Sequence, residues 1–216
     1  MLLRKLFLLL ILSSAIIYCQ NSGDLKSDST KKGFPLILVK STIGYSFVNG
    51  DYYNSYNSGI AFRLGGYFLF NRDDPAAGRF FIGVSYSHAF NTGGKIFGFA
   101  DNLALNEYSL EFGRSTNLFS SGIYLYGLIG FVLVDNDASQ ANTPYYFKEP
   151  KFALRAEGGI SFSVSDNCAI LLSASVDPVM GKNDQINTDV YFSGNQSLFN
   201  FAGYIFNVGI GLSYGL

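Results

Sequence analysis

An alternation of apolar with small or polar residues, with a period of two, is the feature that most limits how this chain can fold. From residue 36 onward the alternation recurs in eight segments, and no apolar run approaches the length of a transmembrane helix. In the last segment, Phe206, Val208 and Ile210 share one parity, while glycine, serine and asparagine occupy the other. Successive side chains of a strand point to opposite faces, so each segment is predicted to be a strand with one apolar face. The segments are residues 36–47, 59–70, 79–90, 104–114, 122–134, 151–164, 168–176 and 201–216.

The composition agrees with strands and narrows the range of partners. Hydrophobic residues make up 48% of the sequence and charged residues 14%, with 21 Phe, 15 Tyr and 24 Gly. This usage is typical of strands and turns and argues against a disordered chain. The 15 Lys and Arg stand against 16 Asp and Glu, so the chain lacks the basic excess that binding to phosphates needs. We therefore expect no nucleic-acid partner.

The connections between the predicted strands alternate between long and short. The long ones are residues 48–58, 91–103, 135–150 and 177–200, and the short ones are residues 71–78, 115–121 and 165–167. Barrels of the outer membrane show this alternation, because their periplasmic turns are tight and their external loops are extended. The sequence therefore predicts an all-β protein, an eight-stranded antiparallel up-and-down transmembrane β-barrel over residues 36–216.

Charged residues in the middle of the predicted strands all fall on the small, polar parity. A charge on the lipid-facing wall at the bilayer midplane would cost about 2–4 kcal/mol, whereas the lumen of a membrane barrel can hold ions. A soluble lipocalin-like barrel would have the opposite arrangement, with an apolar interior. The pattern therefore predicts a charge network in the lumen, formed by Lys40, Arg63, Glu107, Glu111, Arg155 and Glu157.

This network has two interpretations. It is either a salt-bridge plug that closes the lumen or an ion path that opens when the pairs exchange. The plug is favoured, because the interior of an eight-stranded barrel is normally filled by side chains. Counted from the inner rim, Arg63, Glu107 and Glu157 fall at one height, so they could meet across the lumen. Residues 123–132 are apolar at both parities, so this strand could add an apolar patch to the interior.

The N-terminal residues are predicted to be a targeting segment. Arg4 and Lys5 precede an apolar stretch at residues 6–18, which is the pattern of a secretory signal peptide, here assigned to residues 1–19. Cleavage could follow Ala15 or Cys19, and Cys19 also leaves lipidation open. Residues 20–35 are polar and predicted to be a flexible leader. Only Cys168 certainly remains in the mature chain, so we expect stability without a disulfide.

Several of these features together resemble one family. The chain resembles the OmpA/OmpX-like small outer-membrane β-barrel proteins. The shared features are the leader, the eight alternating strands, the alternating loop lengths, the inward charges and a final strand at residues 204–216 with Tyr214 third from its end. The resemblance implies a location in the cell outer membrane, contact with outer-membrane lipid and lipopolysaccharide, and insertion by the barrel-assembly machinery.

Catalysis finds little support in the sequence. His88 shares the lipid-facing parity, whereas the nearby Ser85 and Ser87 fall on the lumen parity, so a serine–histidine pair within this strand is not expected. The chain has no cluster of Cys and His with metal-ligand spacing. We therefore expect no enzyme activity, no catalytic residues, no cofactor and no metal site.

The predicted external loops are rich in Tyr, Asn, Asp, Ser and Gly, a composition suited to adaptable recognition. They could bind a surface ligand, whose identity the sequence does not give, or be hydrated turns over the barrel mouth. Asp and Glu outnumber Lys in these loops, which would suit divalent cations that bridge lipopolysaccharide. The expected role is structural or one of surface interaction. The alternatives are a narrow porin-like channel for small solutes and a soluble lipocalin-like carrier.

Overall fold

Eight strands form one closed barrel. The computed structural model describes residues 37–50, 56–70, 79–96, 99–118, 122–140, 146–181 and 201–216. The strands are β1 (Ile37–Asn49), β2 (Tyr56–Phe70), β3 (Arg79–Ile96), β4 (Phe99–Leu118), β5 (Ile123–Gln140), β6 (Tyr146–Ser163), β7 (Cys168–Met180) and β8 (Phe201–Gly215). Each strand pairs antiparallel with the next, and β1 pairs with β8. The predicted eight-stranded up-and-down barrel is confirmed. None of the described residues forms a helix long and apolar enough to cross a membrane.

The seam between β1 and β8 closes the barrel. It runs from the pair Leu38 and Gly215 to the pair Asn49 and Tyr204. In the middle of the seam, Gly44 faces Gly209. A Cβ atom at Gly44 would lie 1.9 Å from the carbonyl oxygen of Val208, so only glycine allows the two backbones to approach this closely.

The outer wall of the barrel is apolar. Large hydrophobic side chains are exposed on every strand, among them Phe131 at 73%, Phe152 at 70% and Ile129 at 65%. Soluble proteins rarely expose contiguous apolar patches of more than a few hundred Å². A belt that surrounds the barrel therefore faces lipid hydrocarbon, and the arrangement is the reverse of that in a soluble carrier.

The inside of the barrel is layered. The extracellular end is assigned here to the long connections and the periplasmic end to the short ones. An apolar upper cluster lies toward the extracellular end and consists of Ala61, Ala89, Leu103, Leu105, Val132, Val134, Ala153, Val179 and Ile205. A lower cluster lies toward the periplasmic end and consists of Tyr67, Leu69, Phe81 and Leu128. Strand β5 contributes Leu128, Val132 and Val134, so the predicted apolar patch of this strand is present.

Several strands are longer than the sequence pattern predicts. Strands β3 and β4 continue to the pair Ile96 and Phe99, through most of the predicted loop at residues 91–103. Strands β5 and β6 continue to the pair Ser139 and Tyr146, within the predicted loop at residues 135–150. At the other rim, β4 runs to Leu118, into the predicted turn at residues 115–121. The loop predictions were wrong here because alternation marks only the part of a strand that separates lipid from lumen.

Two further predictions concern the chain outside the barrel wall. The predicted signal peptide at residues 1–19, the leader at residues 20–35 and the turn at residues 71–78 lie outside the described residues. Cys168 is 4% exposed and disulfide-bonded, so the expectation of a chain without a disulfide is wrong. The sequence has two cysteines, and the other one, Cys19, lies outside the described residues.

Candidate functional site: a charge network in the lumen

All six charged residues singled out from the sequence have their side chains inside the barrel, and none is more than 6% exposed. Each lies at an inward position of its strand, with small residues beside it. Gly130 on β5, for example, lies between Glu111 on β4 and Arg155 on β6 in the strand register. A Cβ atom at Gly130 would approach the Cγ of Glu111 to 3.0 Å, so the glycine leaves room for the two long side chains to meet.

Arg155 is the centre of the upper part of the network. Its Nε donates to Asp177 Oδ1 at 3.0 Å, and its Nη2 donates to Asp177 Oδ2 at 2.6 Å. Its Nη1 donates to Glu111 Oε1 at 3.0 Å, and its Nη2 also forms an ion pair with Glu107. One guanidinium therefore holds three carboxylates, and all four side chains are fully buried or nearly so.

Glu157 is the centre of the lower part. Its two carboxylate oxygens form ion pairs with Lys40 and Arg63, one each. The hydroxyl of Tyr126 donates to Glu157 Oε1 at 3.0 Å, and the ammonium of Lys40 lies 4.5 Å from the centre of the Tyr126 ring. Two cations thus share one carboxylate, which leaves this group with an excess of positive charge.

Neutral hydroxyl groups complete the network around Glu111. Tyr67 donates its hydroxyl to Glu111 Oε2 at 2.5 Å. The hydroxyls of Ser85 and Ser109 donate to Glu111 Oε1 at 2.8 and 2.7 Å. A buried carboxylate is stable only when its oxygens accept hydrogen bonds, and these three hydroxyls together with Arg155 meet that need.

The pairing differs in one respect from the heights counted on the sequence. Arg63 and Glu157 meet, but the ion pair of Glu107 is with Arg155. Strands of a barrel are tilted and staggered, so residues equally far from the rim along different strands do not lie at equal heights. A simple count along each strand cannot find the partner of a residue for this reason.

Two charged residues of the lumen were missed. Asp177 was assigned to the start of the predicted loop at residues 177–200, but β7 continues to Met180 and places Asp177 inside. Lys151 is likewise buried, with 5% of its surface exposed. Both lie on the same parity as charges or serines already assigned to the lumen, which is the signal that could have found them. Among the described residues, the buried charges are then equal in number: the cations are Lys40, Arg63, Lys151 and Arg155, and the carboxylates are Glu107, Glu111, Glu157 and Asp177.

The serine and histidine groups of β3 are separated as the alternation predicts. Ser85 and Ser87 are buried in the lumen, whereas His88 is partly exposed on the outer wall. The Nδ1 of His88 lies 2.7 Å from Asn106 Oδ1, and the His88 ring packs edge-on against Phe90. Within the described part of the chain, no group of three or more His, Cys, Asp or Glu side chains is arranged to hold a metal ion.

Comparison with known proteins gives no match by sequence but several solved structures with a similar fold. No protein-family model and no curated protein matches the chain. The structure of Neisserial surface protein A matches with a TM-score of 0.58 and 12% identity, over 83% of this chain and 97% of that chain. The chain has the fold of the small outer-membrane β-barrels.

Two further outer-membrane proteins match. Ail, the attachment invasion locus protein of Yersinia pestis, solved in complex with the heparin analogue sucrose octasulfate, matches with a TM-score of 0.50 and 17% identity, over 83% of this chain and 99% of that chain. A major outer membrane protein of Thermus thermophilus matches with a TM-score of 0.50 and 11% identity, over the same shares. This fold and the apolar outer belt together place the barrel in the outer membrane.

Proposed function

We propose that this protein is a closed barrel that anchors a recognition surface at the outside of the outer membrane, and that it does not conduct solutes. The observation that carries the proposal is the layered lumen, in which a buried network of ion pairs lies below an apolar cluster of aliphatic side chains. The proposed role is structural or one of surface interaction.

The charge network supports closure because opening it is costly. To make a path, ion pairs such as those of Arg155 with Glu107 and Asp177 would have to separate inside the barrel. Leaving one partner of a buried pair without the other costs about 3–5 kcal/mol. An ion that passed the network would also have to cross the upper apolar cluster, which is formed by aliphatic side chains.

A projecting sheet supports the surface role. On β3, Phe90 is the last large exposed apolar residue of the described side chains, and the strand continues to Ile96. Six further residues at about 3.3 Å each carry the strand roughly 20 Å beyond that point. Strands β3 to β6 remain paired with one another there, as the pairs Asp101 with Gln140 and Ser139 with Tyr146 show.

Within the described ranges, the neighbouring strands β2 and β7 do not pair with β3 and β6 up to the ends of those two strands. The pairing of β2 with β3 ends at Tyr56 and Gly93, three residues before the end of β3, and the pairing of β7 with β6 ends at Val179 and Ala153. The four strands therefore form a projection on one side of the barrel, and paired strands are rigid supports for the loops at their ends.

The chemistry of the partner differs from that of the ligand named for Ail. That protein was solved with a heparin analogue, a polyanion. Here Asp and Glu outnumber Lys in the predicted external loops, and repulsion between like charges disfavours a polyanionic partner. A neutral or cationic partner on a neighbouring surface fits this composition better.

Planar-bilayer recordings with the purified barrel test closure. We expect no steady openings. Steady openings whose conductance changes in an Arg63→Gln variant would instead support the narrow channel and would refute the closed barrel. Heat-modifiable migration in detergent gels shows in each case that the barrel is folded.

Cell-adhesion measurements test the recognition surface. A variant in which the β3–β4 and β5–β6 hairpins are shortened to the height of Phe90 should still insert and should lose adhesion relative to the full-length chain. An Asn167→Ala variant at the periplasmic rim is the matched control and should adhere normally. Equal adhesion of the full-length and shortened chains would contradict the proposed role.

A further inference from the structure

A cavity lies in the periplasmic half of the lumen, below the charge network, and plays no part in the proposed surface role. Its volume is about 250 Å³, and it extends from Lys40 and Tyr126 to the turn between β6 and β7 at Asp166. Half of the residues in its wall are apolar or aromatic, among them Leu69, Phe81, Leu128, Leu171, Tyr67 and Tyr124, and most of the others are serines or charged residues. Pockets that combine apolar surface with polar groups able to orient a ligand are typical of sites for small molecules.

The charges of the wall are unequal in number. The charged residues that line the cavity among the described residues are Lys40, Arg79 and Asp166, two cations against one carboxylate. Lys40 belongs to the lower part of the charge network, where it shares Glu157 with Arg63. The carboxylates that balance this excess belong to the upper part, around Arg155. The wall therefore favours a ligand that carries a negative charge.

Lys40 is suited to hold that charge. An ammonium has three donors, and the described hydrogen bond of Lys40 is the one to Glu157 Oε1. Ser213, which faces Lys40 across the β1–β8 seam, also lines the cavity and offers a hydroxyl beside the ammonium. The apolar part of the wall lies on the periplasmic side of these two groups. A ligand whose charged end binds Lys40 can therefore place its apolar body against that part of the wall.

We propose that this cavity binds a small organic monocarboxylate with an apolar body, such as a short-chain fatty acid, entering from the periplasmic side. The carboxylate accepts hydrogen bonds from Lys40 and Ser213, and the hydrocarbon body packs between Leu69, Leu128 and Leu171. The site is separate from the projecting sheet, so its ligand and the surface partner are independent of each other.

Hexanoate is the probe for this site, and hexanamide is its neutral control of nearly the same shape. The full-length barrel in phosphatidylcholine nanodiscs is titrated with each compound while backbone amide shifts are recorded by NMR, with empty nanodiscs measured in parallel. We expect saturable shifts with hexanoate at Leu38, Leu171 and Ser213. The affinity for hexanamide should be lower by about tenfold or more, since hexanamide lacks the charge that strengthens the contact with Lys40.

Two variants and one control assign the site. Lys40→Met should weaken hexanoate binding about tenfold or more, and Leu171→Trp, which fills the cavity without changing its charge, should abolish binding. The control is Arg114→Met, which removes a cation from the exposed outer wall at the same end of the barrel and should leave binding unchanged. If Lys40→Met does not fold, Leu171→Trp decides the question.

The proposal is overturned by any of three results. These are the absence of saturable shifts, equal binding of hexanoate and hexanamide, and unchanged binding in the folded Leu171→Trp variant. The first result would show that hexanoate does not bind to the barrel, the second that the site does not select an anion, and the third that hexanoate binds outside the cavity. None of them would affect the conductance or adhesion results, so the two proposals fail separately.

Discussion

Arg155 and Asp177 connect the neighbouring strands β6 and β7 by a two-point contact inside the lumen, with Nε to Oδ1 at 3.0 Å and Nη2 to Oδ2 at 2.6 Å. The planar guanidinium matches the geometry of a carboxylate in a way that an ammonium cannot. Its remaining donors bind Glu107 and Glu111. Among the described residues, Arg155 is the point at which three carboxylates converge, and the stability of the lumen depends strongly on it.

Removing the charge of Arg155 should destabilise the barrel severely. In an Arg155→Met variant three buried carboxylates lose their common partner, so we expect the free energy of unfolding to fall by about 3–5 kcal/mol. Urea unfolding in lipid vesicles, followed by gel migration without heating, measures the loss. Arg155→Lys keeps the charge but not the two-point geometry and should lose less. Equal losses in both variants would contradict a role for the charge itself.

Removing the charge of Glu157 should destabilise the barrel without opening it. In Glu157→Gln the cations of Lys40 and Arg63 lose their shared carboxylate, which we expect to cost about 3–5 kcal/mol of folding stability. The upper apolar cluster remains, so planar-bilayer recordings should still show no steady current. A conducting Glu157→Gln barrel would show that the ion pairs alone close the lumen.

Two glycines on neighbouring strands should respond differently to the same substitution. Gly44→Val places side-chain atoms against the Val208 carbonyl at the β1–β8 seam and should prevent closure, which removes the heat-modifiable band. Gly66→Val is the matched control, because a Cβ atom there meets nothing within 4 Å, and it should fold normally. Normal folding of both variants would contradict the tight seam.

A charge on the outer wall should lower the free energy of unfolding more strongly the closer it lies to the middle of the bilayer. Ile129 is near the middle of the exposed apolar part of β5, and Leu133 is near its extracellular end. Ile129→Arg should lower the free energy of unfolding by about 2–4 kcal/mol, and Leu133→Arg should cost about 1 kcal/mol or less. Unfolding in lipid vesicles measures both. Equal costs at the two positions would argue against the assigned membrane depth.

Most of the architecture could be predicted, because lipid and lumen impose opposite preferences on alternate residues. Ile129, for example, faces lipid, and its neighbour Gly130 leaves room for the charges inside. Beyond the membrane both faces of a strand meet water, and the alternation disappears. For this reason the sequence pattern predicts a loop where β3 continues beyond Phe90.

The details of the charge network were harder to predict than its existence. The pairing of Glu107 with Arg155 depends on the tilt and stagger of the strands, which no single strand encodes. Asp177 is followed by Pro178, and an Asp-Pro pair normally indicates a turn. Here β7 continues through Pro178, which faces Tyr204 of β8.

The side-chain bonds across the lumen also have a mechanical consequence. They connect β1, β2, β4, β6 and β7 through the interior, so the round cross-section of the barrel cannot flatten without breaking several of them at once. Lateral pressure from the bilayer, or a pull on the strands above it, is therefore met by a stiff cylinder. Such a cylinder would hold the projecting sheet of β3 to β6 at a constant height and angle above the membrane.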